Sequence, residues 1–110
     1  MIGLPFQTYE DLVRDILFFK EEDVDMIGMG PYIPHADTPL LTPQTPGVCE
    51  PLKHPVFEGG YDPEENFRLG LVMIALTRLF LKDVNIAAAT ALQTLDPSGR
   101  EKGVLAGANI

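Results

Sequence analysis

The chain is 110 residues long, 45% hydrophobic and 22% charged, a length and balance that suit one folded domain with a modest core and not a disordered chain. Sixteen Asp and Glu against eight Lys and Arg give a formal net charge of -8, which disfavours nucleic acid and anionic membrane surfaces, since both need clustered cations. The single cysteine excludes an internal disulfide, no basic region with a long apolar core opens the chain, and the apolar run 69–81, broken by Gly70 and Arg78, is too short to span a bilayer; a reducing, cytoplasmic setting is the expectation.

Met1-Ile2-Gly3-Leu4 reads as the end of an apolar strand that Pro5 stops. Thr8 is placed to cap a helix, with Asp11 three residues on as the other half of a capping box. From Tyr9 onward, Leu12, Val13, Ile16 and Leu17 share one helical face, while Glu10, Asp11, Arg14 and Asp15 take the other. Val24–Met29 predicts a strand, continuous enough in apolar residues to be covered on both faces. A long Pro- and Gly-rich connection without periodicity runs from Pro31 to Tyr61, a length at which loops are commonly functional or mobile.

Asp62-Pro63-Glu64-Glu65 predicts a second helix start, with Asp as the cap and Pro in the first turn. The helix 63–81 is apolar almost all round and is expected to pack against more than one neighbour. Asn85–Ala89 is the next strand candidate, although its alanines suit a helix as well. Asp96-Pro97 opens a third helix with Gly107 as its C-cap, and Ala108-Asn109-Ile110 begins another strand. Strand starts near residues 1, 25, 85 and 108, with helices between them, make a βα repeat. The expected class is therefore α/β: a partial (βα) TIM-type barrel forming one domain, 1–110, with an irregular insertion at 41–61. A full barrel takes roughly 250 residues, so less than half is expected, with both ends cut in strand.

In such a barrel the loops after the strands converge on one face; here they are Gly3–Gln7, Gly30–Leu40 and Thr90–Asp96. Gly3 and Gly30 either bring backbone close to a ligand or make tight turns. Pro31, Pro34 and Pro39 stiffen the second loop. Tyr32 either stacks on a flat ligand or caps the core. His35 could shuttle a proton, but with no partner at ligand spacing a backbone-bound loop histidine is favoured. Thr90 and Thr94 suit a carboxylate or phosphate, although β-branched packing explains Thr90 almost as well. Cys49 and His54 form only a Cys-x4-His pair, short of the four ligands a zinc site wants, so no metal ligand is assigned. No Ser/His/Asp triad, Walker loop, carboxylate pair or dinucleotide fingerprint is evident, so no catalytic residue is assigned either.

Taken together, Met1–Thr8, Asp25–Leu40, Asn85–Leu95, Gly99-Arg100-Glu101 and Ala106–Asn109 resemble the radical S-adenosylmethionine enzymes of the biotin synthase group. Within that group they are most like the maturases that help build the H-cluster of iron-only hydrogenases. The likeness covers nearly the whole chain except 41–61, and overlaps the biotin and thiamin synthesis associated domain. It implies strands five to eight of a radical S-adenosylmethionine barrel. The family's four-iron, four-sulfur cluster sits on a Cys-x3-Cys-x2-Cys loop and cleaves S-adenosylmethionine to a deoxyadenosyl radical.

This chain has one cysteine and no such loop, so the resemblance implies a fragment that lines the cavity and is inactive alone. Gly3, Leu4, Pro31, Tyr32, Pro34 and His35 would face the cofactor, and Thr90 the substrate. Phe6 stands where the family's Gly-Leu-Pro-Gly-Gln-Thr has its second glycine, and Ala89-Thr90 replaces a Thr-Thr pair. Biotin synthase has a cluster-ligating arginine near Thr90, which argues against biotin synthase itself. The implied partner is the missing N-terminal half-barrel or a hydrogenase maturation protein. The alternative is a non-catalytic module that completes its barrel with another chain or by self-association, because open strand edges need covering.

Overall fold

The computed structural model describes residues 1–35, 37–38 and 61–110. The expected insertion up to residue 60, with Pro39, Cys49 and His54, lies outside the described residues. In chain order the elements are α1 (Tyr9–Glu21), β1 (Met26–Met29), α2 (Pro63–Phe80), β2 (Asn85–Ala88), α3 (Thr90–Leu95) and α4 (Gly99–Ala106). Among the described residues no helix is long and apolar enough to cross a membrane.

The capping box starts α1 as its sequence predicts: Asp11 N–H donates to Thr8 Oγ1 at 3.1 Å, and Thr8 N–H donates to Asp11 Oδ2 at 2.8 Å. The Thr8 amide, then its hydroxyl, holds the Asp11 carboxyl below its ordinary range. Leu12 and Ile16 are buried, but Val13 and Leu17 from the same predicted face stay exposed. The helix closes in a turn with Asp23 at φ 50, which returns the chain to β1.

β1 and β2 pair in parallel, Met26 with Asn85 through Met29 with Ala88. Two extended ends flank them. Ile2 bridges Pro31 in parallel: Ile2 N–H donates to Gly30 O at 3.0 Å, and Tyr32 N–H to Ile2 O at 2.7 Å. On the other side Asn109 and Ile110 N–H donate to Ile86 O at 2.9 and 3.2 Å, while Ala88 N–H donates to Ile110 O at 2.9 Å. The extended pieces therefore lie side by side in chain order, as a βα repeat requires. The outer two make ladder hydrogen bonds without lengthening into strands.

Burial alternates along both strands. Ile27, Met29, Ile86 and Ala88 are buried in one cluster with Leu12, Ile16, Met73, Ile74 and Leu92 of the helices. Met26 (59% exposed) and Asn85 point the other way, and Gly28 opens onto empty space. Among the described residues the expected cover is present on one face of the strand. The helices of the described residues form one layer, so only every second strand residue is buried.

Asp62 caps α2 by accepting the Glu64 amide at 3.0 Å, with Pro63 in the first turn where its missing N–H costs nothing. Asn66, Gly70, Met73, Ile74 and Thr77 form its buried side. The helix packs against α1, α3 and α4, bearing out the expectation of several neighbours.

Two expectations for the last thirty residues need correcting. Thr90–Leu95, expected as a loop, is the short helix α3. The last helix starts at Gly99 with Ser98 at its N-cap, and not at Asp96-Pro97. The reason is local: Asp96 Oδ1 accepts both the Ser98 amide and hydroxyl at 2.8 Å, making a turn before the helix begins. Gly107 ends α4 at φ 132, as its C-cap position predicts.

Arg78 fastens the end of the fold away from the strand-end loops. Its guanidinium donates to Gly107 O at 2.8 Å, Lys82 O at 2.9 Å, Val84 O at 2.7 Å and Asn109 Oδ1 at 3.2 Å. Asn109 in turn accepts the Ile86 amide at 2.8 Å and donates to Asn85 Oδ1 at 3.0 Å.

Candidate functional site at the strand ends

The C-terminal ends of the extended pieces bring Gly3 and Tyr32 against Asn66 of α2, with Pro31 beside Gly70 of the same helix. Gly3 is held at φ +82, a left-handed conformation that disfavours side chains, while its amide donates to Gln7 Oε1 at 2.7 Å. Gln7 also accepts the Leu4 amide at 3.2 Å and donates to Met1 O at 3.1 Å, so one side chain shapes the whole first loop. Phe6 in that loop lies at φ 68. Left-handed backbone of this kind is where glycine fits best, which gives a physical reason for the glycine of the resembled pattern.

Asn66 has no exposed surface. Its Nδ2 donates to Tyr32 O at 2.9 Å, and the same carbonyl accepts the Tyr61 hydroxyl at 2.8 Å. Its Oδ1 has no partner among the described residues and faces Gly3 so closely that a Cβ there would collide with it. The rings of Tyr32 and Tyr61 meet edge to face at 6.1 Å. Burial pushes the Tyr61 phenol above its ordinary value, with the Asn66 amide opposing and Tyr32 and Asp62 adding to the rise. The Tyr32 hydroxyl is buried and also without a partner among the described residues. An unpaired buried polar atom costs about 1–3 kcal/mol, so two of them at one set of strand ends mark a place suited to a polar molecule.

The residues singled out from sequence fall into three positions. Gly3, Pro31 and Tyr32 belong to this cluster and are buried, with Leu4 half-buried beside them in the chain. Pro34 and His35 lie further along the loop. There His35 Nδ1 accepts the Asp37 amide at 3.2 Å, and its carbonyl takes the Thr38 amide at 3.0 Å and hydroxyl at 2.7 Å. His35 is thus the backbone-bound loop histidine that its lack of a partner suggests.

Thr90 is the exposed first residue of α3, its carbonyl accepting the Thr94 hydroxyl at 3.3 Å. Its neighbours Ala89 and Ala91 line a shallow groove on the uncovered sheet face with Met1, Gly28, Met29, Gly30 and Pro31. A Cβ on Gly30 would come within 2.7 Å of the Ala89 Cβ, so β1 and β2 close up at this end only with small residues. Asn66 escapes a sequence reading. The one available signal is an amide four residues after the cap, on the face that Gly70, Met73 and Thr77 share.

A parallel sheet with helices on one face, and polar and glycine-rich turns at its C-terminal strand ends, defines a βα-unit protein of the α/β class. Over all its 110 residues the chain is 46% identical to the [FeFe] hydrogenase maturase subunit HydE of Thermotoga maritima, and it spans 26% of that protein's length. It resembles part of that maturase, as its sequence blocks suggest. No family model matches the chain.

The four-iron, four-sulfur cluster on three thiolates that the sequence resemblance implies does not fit this chain's own residues. The sequence holds one cysteine, Cys49, outside the described residues, and among the described residues no three His, Cys, Asp or Glu side chains converge.

Proposed function

We propose that the chain supplies one wall of a radical S-adenosylmethionine barrel of the hydrogenase-maturase kind, corresponding to strands five to eight. Its strand-end loops then line the cavity where cofactor and substrate meet. One observation carries this reading: among the described residues, parallel extended pieces in chain order have helices on one face only. Barrel closure turns the other face, with Met26, Gly28 and Asn85, inward. Gly28 and Gly30 leave room there. Gly3, Leu4, Pro31, Tyr32, Pro34 and His35 form the cofactor side and Thr90 the substrate side.

The roles of these residues are binding, orientation and exclusion of water. The Tyr32 hydroxyl and the Asn66 amide oxygen are the buried polar atoms at these strand ends that have no hydrogen-bond partner among the described residues. No chemical step is assigned to them, because the cluster that activates the cofactor comes from outside this chain. The reading includes a cytoplasmic setting, a partner that brings the missing strands, and neither nucleic acid nor membrane.

Anaerobic incubation of the purified chain with iron and sulfide tests it. No stoichiometric cluster and no cleavage of S-adenosylmethionine are expected, and robust cleavage by the chain alone would overturn the reading. The same bare sheet face favours a second reading, a non-catalytic module that covers it with another chain or a second copy. Complex formation that brings no cofactor binding would select that reading.

A further inference from the structure

Gln7 does to the outer edge of the first extended piece what a neighbouring strand does elsewhere in this sheet. In a parallel ladder one residue serves two partners two positions apart, donating its N–H to the carbonyl of the first and accepting the amide of the second. Ile2 serves Gly30 and Tyr32 in this way, at 3.0 and 2.7 Å, and Ile110 serves Ile86 and Ala88, at 3.2 and 2.9 Å. The backbone groups of Ile2 point toward β1, so those of Met1 and Gly3 point away from it, because they alternate sides along an extended chain. There the Gln7 carboxamide repeats the pattern: its Nε2 donates to Met1 O at 3.1 Å, and its Oε1 accepts the Gly3 amide at 2.7 Å. Left-handed backbone at Gly3 (φ 82) and Phe6 (φ 68) turns the chain back so that residue 7 reaches residues 1–3. The Gln7 amide, donating to Leu4 O at 3.1 Å, closes that turn.

Hydrogen bonding alone does not require this arrangement. Met1 is 68% exposed, and water would satisfy its carbonyl without the side chain. Water does not, however, stop another chain from pairing, because an edge with open N–H and C=O groups is a template for a further strand. We propose that Gln7 is an edge guard: its carboxamide fills the place of one residue of a parallel neighbour and keeps the strand of a second copy from adding to residues 1–3. Any parallel strand that pairs there has to put a residue where the carboxamide lies, and so has to displace it. The guard does not rest on the barrel reading; a partner strand that completes a barrel meets the same side chain.

Amide hydrogen exchange and light scattering on the full chain, each over a concentration series, test this. Gln7→Met keeps the shape of the side chain and removes both hydrogen bonds. At low concentration its Gly3 amide should exchange at least about fivefold faster, while Ile2 and Tyr32, which pair with each other's piece, keep their protection. The variant should associate at lower concentration than the unmodified chain, and Gly3 should regain protection as it does, because the strand of a second copy then covers it. Gln7→Glu keeps the acceptor for Gly3 and places a charge on the edge, so Gly3 should stay protected and association should not increase. A Gly3 amide equally protected in Gln7→Met and the unmodified chain overturns the proposal. So does a Gln7→Met chain that exposes Gly3 yet associates no more readily, or a Gln7→Glu chain that associates as readily as Gln7→Met. If Gln7→Met frees Ile2 and Tyr32 as well, Gln7→Glu carries the test, and a Gly3 amide exposed in it overturns the proposal.

Discussion

Asn66 and Gly3 show how a single contact sets the geometry of two loops. The Asn66 amide fixes the Tyr32 carbonyl, and its oxygen fills the space where a side chain on residue 3 would go. Gly3→Ala must therefore both adopt a left-handed φ and displace a buried amide. Loss of about 1–3 kcal/mol is expected in urea unfolding. Asn66→Leu removes the donor to Tyr32 O and should cost about 1–3 kcal/mol, with hydrogen exchange sped up more at Tyr32 than in β1. Phe6 offers the opposite sign: it is 63% exposed at φ 68, so Phe6→Gly relieves strain and loses little packing. A gain of about 0.5–1 kcal/mol in the same unfolding measurement is the expected outcome. None of this is legible at the residues themselves, because Asn66 acquires its meaning only when α2 lies against the ends of two extended pieces.

The elements with chemical punctuation were the ones readable from sequence. Thr8 with Asp11, and Asp62 with Pro63, announce their helices before any tertiary contact is considered, and both caps form as those residues dictate. α3 has no such mark: Ala89 at its N-cap offers no side-chain hydrogen bond, so Ala-Thr-Ala-Leu reads as readily as a loop. The one-sided burial of β1 is hidden for another reason. Met-Ile-Gly-Met is apolar at every position or lacks a side chain, so the alternation leaves no polar trace.

Between α3 and α4, Asp96 supports an element boundary with a measurable pH signature. Hydrogen bonds from Lys102 first, then from the Ser98 hydroxyl and amide, lower its carboxyl from 3.8 to about 2. A carboxyl depressed in the folded state adds stability that is full above its unfolded value of 3.8 and lost as pH falls through about 2. Thermal midpoints should therefore drop across that window. Asp96→Asn should flatten the drop there while leaving the Thr8–Asp11 contribution in place. An unchanged profile in the variant would contradict the assignment.

For the whole molecule, the decisive feature is asymmetry. The described residues bury one face of the sheet under helices and leave the other open, and Arg78 and Asn109 stiffen the end opposite the strand-end loops. A division between a stabilising end and a functional end is how βα barrels are organised. The order of the extended pieces was legible from the spacing of apolar runs along the chain. The open face was not, since it depends on which layers are present around the sheet. The Gly-Pro-Tyr-Ile-Pro-His loop shows the same limit: its residues point to the maturases, yet only Pro31 and Tyr32 reach the buried cluster, and His35 turns back on its own backbone.

The most direct measurement mixes this chain with the Thermotoga maritima maturase from which the aligned region has been removed, and follows both complex size and deoxyadenosine release under reducing conditions. An equimolar complex that cleaves S-adenosylmethionine, and that loses the ability when Gly28→Phe fills the inward face, is the predicted result. Two folded chains that remain separate at every concentration would contradict the account.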